Sequence, residues 1–322
     1  MPIDPQRIRD AQSLLARHFG PTRIARAASL SSPGRDVFLK LETDLPTGSF
    51  KVRGAIYALA AKVAVPQTPV AEVVCASTGN HGAAVAYAAR LLGVRATIFL
   101  PADPNPVKAA RIRDLGARLV ESGADLSDAI DAAQDYAARA SAFFLHDASD
   151  PDVPVGTATI GMEIVDQLPA VDVIYVPMGD TALIRGVASA AKQQRASIRI
   201  VGVVAERAPA YLLSWQKHND VVETATCDTI ADGLAIRRPL APNVAAIRQL
   251  VDDVVMVSEE EMIAAIDLLY AREQVIAEPA GAAATAALMK NPPTAQTSVA
   301  LVTGSNIAPD VMETVRRDFQ IR

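Results

Sequence analysis

Short apolar runs, rich in β-branched residues, recur along the chain at intervals that leave room for a helix between them. They are DVFLKLE, EVVCAS, ATIFLP, ARLVES and AFFLHD, followed by VDVIYVPMG, IRIVGVVAE, VVMVS and SVALVTGS. Amphipathic stretches such as AVAYAARLLG, DAIDAAQDYAARA and EEEMIAAIDLLYARE lie between them. Strands that alternate with helices predict an α/β fold in which a mainly parallel sheet has both faces covered. The Pro- and Asp-rich segment HDASDPDVPVG, residues 146–156, divides the middle runs from the later ones. It reads as a crossing between two α/β domains, with one continuous sheet as the alternative.

Composition narrows the class. With 322 residues the chain has room for two ordinary domains or one large α/β unit. The 31 Lys and Arg against 36 Asp and Glu leave a net charge of -5, and no basic block tracks a phosphate backbone, so nucleic acid is excluded as the expected partner. Cys75 and Cys227 lack C-x-x-C spacing and suggest neither a disulfide framework nor a zinc site. The polar start MPIDPQRIRDAQ has no apolar core, and no apolar run reaches membrane-spanning length. The expectation is a soluble, cytoplasmic protein with no membrane partner.

Parallel sheets bind ligands beyond the carboxyl ends of their strands, where helix N-termini present free amides. Three small, polar, glycine-containing segments fall there: STGNHG at 77–82, PMGDTALIRG at 177–186 and TGSN at 303–306. Any one alone is an ordinary turn. Three together, with Lys51 set directly after Phe50 and the turn PTGS in TDLPTGSFKVRGA, suggest a constructed site.

These segments resemble the fold-type II pyridoxal phosphate enzymes, within them the branch of serine/threonine dehydratases and serine racemases. GSFKVRGA, STGNHGAAVAYAARLLG, TIADGLA, EPAGAAA and TGSN carry the resemblance, in the family's order, from about residue 20 almost to the C-terminus. It implies two open, mainly parallel twisted sheets with helices on both faces, like the tryptophan synthase β subunit. A large cofactor-binding domain would comprise 1–45 and 150–322, and a smaller one binding the substrate carboxylate would comprise 46–149. It further implies pyridoxal 5'-phosphate as cofactor, an amino acid as small-molecule substrate, and a homodimer. Lys51 takes the place of the Schiff-base lysine, Phe50 packs on the cofactor ring, Asn80 meets its phenolic oxygen and Thr303 faces its pyridine nitrogen. Ser77, Thr78, Gly79, Asn80 and His81 would hold the substrate carboxylate, although His81 has packing as an equal alternative to a direct role.

The chain departs from that branch in three places. PMGDTALIRG keeps only Gly179 of the usual four-glycine phosphate loop, and Asp180 should repel a phosphate unless its side chain turns away. The amides from Gly179 through Asp180, Thr181, Ala182 and Leu183, with the Thr181 hydroxyl, would then form the cradle. Glu206 matches the first ligand of the racemases' cation site, but RAPAYLL supplies no second carboxylate, so no metal is expected. The chain ends soon after TGSN, which predicts no isoleucine-responsive extension.

The resemblance therefore implies a lyase with Lys51 as Cα base, converting a β-hydroxy amino acid such as threonine or serine to a 2-oxo acid and ammonia. A larger substrate, such as a phenylserine or hydroxyaspartate, also fits. The alternative is an amino-acid racemase with Thr78 on the second face of Cα. A cofactor-binding protein without catalysis is a third reading, opposed by the presence of Lys51, Asn80 and Thr303 together.

Overall fold

The computed structural model describes residues 3–320 except 68, 78, 105, 218, 219 and 293. Its first sheet contains β1 (Ile24–Arg26) and β2 (Asp36–Leu41). A second sheet follows with β3 (Glu72–Ala76), β4 (Arg95–Leu100), β5 (Arg118–Glu121) and β6 (Phe143–Phe144). The chain then returns to the first with β7 (Val173–Pro177), β8 (Arg199–Ala205), β9 (Asp253–Val257) and β10 (Thr297–Val302). The six-stranded sheet has the order β1-β2-β10-β7-β8-β9 and the four-stranded one β5-β4-β3-β6. Every pairing is parallel except β1 with β2.

All nine apolar runs contain a strand. The exception to the pattern is β1, three residues at an antiparallel edge, whose part-exposed positions need no sustained apolar run. Cys75 is buried and Cys227 half-buried, both as free thiols.

α-Helices pack around these sheets. They are α1 (Pro5–Leu15), α2 (Lys51–Val63), α3 (Asn80–Leu92), α4 (Pro106–Asp114), α5 (Leu126–Ala140), α6 (Val153–Gln167) and α7 (Ala182–Gln194). After β8 come α8 (Ala210–Gln216), α9 (Ala241–Leu250), α10 (Glu259–Arg272), α11 (Pro279–Lys290) and α12 (Pro309–Gln320).

Helix α2, which opens with Lys51, is fixed from below. Gly54 meets α6 at close range: a Cβ on Gly156 would lie 2.4 Å from the Arg53 carbonyl oxygen, so only hydrogen fits between the two backbones. Arg53, 1% exposed, gives its guanidinium to Glu42 (Nε to Oε2, 2.7 Å) and to Glu163 (Nη2 to Oε2, 2.9 Å). The Lys40 ammonium spends its three donors on the Thr22 carbonyl, Glu163 and Gln167, at 2.8, 2.6 and 3.0 Å. Burial works against the Arg53 charge, but Glu42 and Glu163 outweigh it and hold the guanidinium above its ordinary range. Removing one member of so enclosed a set leaves a buried charge uncompensated, at a cost of about 3–5 kcal/mol.

Candidate active site

The carboxyl ends of β3, β7 and β10 deliver residues 77, 79–81, 179–183, 303 and 306 to one cavity of about 420 Å³. The turn before α2 joins them through backbone: Ser49 bridges Gly304, and the Phe50 amide donates to the Thr303 carbonyl at 3.0 Å. Segments some 250 residues apart in sequence are thereby locked side by side. Phe50, Lys51, Ser77, Gly79, Asn80 and His81 line this cavity, as do Gly179, Asp180, Thr181, Ala182, Leu183 and Thr303. Thr78 lies outside the described residues.

Lys51 projects into the cavity and pairs with Asp147, a residue for which the sequence offered no role. Burial opposes the Lys51 charge, yet Asp147, with Asp180 and Glu278 behind it, raises the ammonium above its usual value. Burial likewise opposes ionisation of Asp147, but Lys51 and then His81 hold its carboxyl far below the ordinary range. His81 is buried and donates from Nε2 to the Leu145 carbonyl at 3.1 Å; burial keeps its imidazole below its normal pKa. This bond ties the start of α3 to the strand that leads to Asp147, which favours a packing role for His81.

Asn80 donates to Glu278 Oε1 at 2.6 Å and accepts from the Asn306 amide at 2.5 Å. Arg111, from α4, donates to the Thr47 carbonyl at 2.7 Å and to the Asn306 side chain. Glu278 lay within a quoted motif but had no assigned role; Asn306 was its counterpart in TGSN, and Arg111 carried no signal in its neighbours. Thr303 is buried, with its hydroxyl 3.4 Å from the Ala280 carbonyl.

The departure in the phosphate loop has a structural solution. Thr181 adopts φ +68°, a left-handed conformation strained for a β-branched residue, and caps α7 without a side-chain hydrogen bond. Its buried Oγ1 has no hydrogen-bond partner. An orphaned hydroxyl at the uncapped start of a 13-residue helix is the donor set a phosphate group uses. Gly179 closes the loop against residues 229–235, since a Cβ there would lie 2.1 Å from the Gly233 carbonyl oxygen.

The Asp180 carboxylate has not withdrawn from the site. It remains within electrostatic reach of Lys51 and Asp147, and burial together with the Asp147 charge pushes its pKa up to about 7. A protonated Asp180 is neutral and can donate, which removes the repulsion expected toward a phosphate. These features fit pyridoxal phosphate: a lysine amine that opens onto the cavity, an unpartnered Thr181 hydroxyl at the start of α7 and a neutral Asp180 beside it.

Glu206 lies at the end of β8, and no cluster of three or more His, Cys, Asp or Glu able to hold a metal occurs among the described residues. No described helix is long and apolar enough to cross a membrane.

Comparison with known proteins agrees with this chemistry. The chain is 36% identical to an L-threonine ammonia-lyase of Geobacter sulfurreducens over 304 residues, 93% of this chain and 75% of that one. It is 35% identical to the L-threonine ammonia-lyase of Thermotoga maritima, over 96% and 77% of the two chains. Maize serine racemase superposes with a TM-score of 0.91 at 28% identity, covering 100% of this chain and 99% of that one. Residues 15–304 match the family of pyridoxal-phosphate dependent enzymes, and the chain belongs to that family.

Proposed function

We propose that the protein is a dehydratase, or ammonia-lyase, that converts a β-hydroxy amino acid to a 2-oxo acid and ammonia. Its likeness to L-threonine ammonia-lyases across more than nine-tenths of its length carries the reading. The division into a cofactor-binding part, 1–45 and 150–322, and a carboxylate-binding part, 46–149, belongs to the same proposal, as do a homodimeric assembly and a cytoplasmic setting.

The bound cofactor supplies an electron-withdrawing ring that makes the substrate Cα–H acidic. The free amides at the start of α3, with the Ser77 hydroxyl, hold the substrate carboxylate and fix Cα beside Lys51. The Lys51 amine, once free, takes the Cα proton. Asp147 keeps the Lys51 nitrogen at the cavity wall and shares its proton. Thr303 offers the ring nitrogen a neutral hydroxyl, which holds a proton there far less firmly than a carboxylate and so favours loss of the β-hydroxyl over transamination. The β-hydroxyl takes up a proton and leaves as water, and the enamine product then takes up one water to give the 2-oxo acid and ammonia.

Release of 2-oxo acid, assayed over L- and D-β-hydroxy amino acids with chiral chromatography of the unreacted substrate, tests this reading. Stoichiometric oxo acid and ammonia without interconversion of enantiomers is the expected result. Fast interconversion with little oxo acid would make the protein a racemase instead.

A further inference from the structure

The polar residues of the cavity account for a carboxylate, an amine and the cofactor, but leave much of its lining without a task. Leu126 and Ile130 stand one turn apart on α5 and both line the cavity. Ile230 and Ile236, on either side of the Gly233 turn, and Val311 of α12 line it as well. The core-facing stripe of α5 is made instead by Ala129, Ala133 and Ala137, packed with Val74 and Phe99. Among the described residues, Leu126, Ile130, Ile230 and Val311 join none of the hydrophobic core clusters.

Leu126 remains 45% exposed and Ile230 36% exposed. Single exposed apolar side chains are ordinary, but here several converge on one cavity from three segments of the fold. A serine substrate has no β-carbon substituent to meet them, and threonine has one methyl group.

Two charged residues of the cavity lining, Arg111 and Asp147, are already engaged. Both terminal nitrogens of Arg111 are held by Thr47 and Asn306, which speaks against a substrate with a second carboxylate. Asp147 is held by Lys51, which speaks against a cationic side chain.

We propose that the collar of Leu126, Ile130, Ile230, Ile236 and Val311 is a side-chain subsite, and that the preferred substrate is a β-hydroxy amino acid with a bulky apolar β-substituent, branched alkyl or aryl. This rests on the dehydratase reading above. Covering such side chains contributes about 25 cal/mol per Å² of apolar surface removed from water. One methylene in an apolar pocket already discriminates by about 10–200-fold.

Two measurements test the subsite. In the first, kcat/KM for 2-oxo acid release is compared for L-threo-3-phenylserine, L-threonine and L-serine. Phenylserine should exceed serine by about tenfold or more. Ile130→Ser and Ile236→Ser should each lower the phenylserine-to-serine ratio by about tenfold. In the second, calorimetry follows binding of L-phenylalanine and L-alanine, which have no β-leaving group, and L-phenylalanine should bind about tenfold more tightly.

A preference for serine or threonine, or equal binding of alanine and phenylalanine, overturns the subsite. A phenylserine-to-serine ratio unchanged in both variants also overturns it, because a collar that merely closes on itself would affect all substrates alike. If no β-hydroxy amino acid is consumed while phenylalanine still binds more tightly than alanine, the dehydratase reading fails and the subsite stands.

Discussion

Lys40 and Lys51 are eleven positions apart, and their surroundings differ in kind. Lys40 is completely enclosed and all three of its donors are used within the protein. Lys51 has one direct partner, Asp147, and opens onto the cavity. Around Lys40 the two carboxylates Glu42 and Glu163 face the two cations Lys40 and Arg53, a balanced set. Around Lys51 stand Asp147, Asp180 and Glu278, more acid than one ammonium can neutralise. Balanced, saturated charge fixes a helix in place; unbalanced charge beside a cavity leaves groups whose protonation can change. Arg53 belongs to the first set and sits two residues from Lys51, so α2 carries the fixed anchor and the reactive amine on one rigid turn.

The comparison can be broken at several points. Lys51→Ala should reduce turnover by about a thousandfold or more, the upper range for loss of a positioned proton acceptor, in a protein that still folds. An active variant would move the chemistry elsewhere.

Arg53→Met should act the other way. It strands Glu42, leaves Glu163 with Lys40 as its one ionic partner among the described residues, and should lower unfolding free energy by about 3–5 kcal/mol, read as a lower urea midpoint. Unchanged stability with lost activity would place Arg53 in the reactive set.

Asp147→Asn removes the nearest charge that raises the Lys51 pKa, leaving only Asp180 and Glu278 to oppose the lowering by burial. Amine-directed labelling of Lys51 in cofactor-free protein should then begin at lower pH than in wild type. Labelling at the same or higher pH would mean that Asp147 does not hold the ammonium.

The last variant, Asp180→Asn, is read through the pH dependence of stability. An Asp with a raised folded-state pKa binds more protons folded than unfolded, so its contribution is complete below the ordinary carboxylate range and is lost as pH rises through about 7. Asp180→Asn should therefore match wild-type stability in acid, exceed it above pH 7, and flatten the slope between. A slope that persists in the variant would assign the titration to another group.

Much of this arrangement could be read from local sequence, and the reason is physical. Buried parallel strands need continuous apolar runs, which made β2 to β10 visible, and tight strand-to-helix turns need small polar residues, which marked 77–82, 177–186 and 303–306. Asp147 was hidden because a lone aspartate in a Pro- and Asp-rich segment looks like a solvated linker; its burial depends on contact with a residue 96 positions away. The Lys40–Glu163 pair, 123 positions apart, was hidden for the same reason. The collar escaped notice because Leu126 and Ile130 fit the expected core pattern of an amphipathic helix, and only the placement of α5 turns them toward the cavity.

The most direct test of the central claim is borohydride reduction of the protein loaded with pyridoxal phosphate, followed by proteolysis and mass spectrometry. The account predicts the reduced cofactor on Lys51 and none on Lys40, since only Lys51 has an amine free to react at the cavity. Modification of Lys40 or another lysine, with Lys51 unmodified, would contradict it.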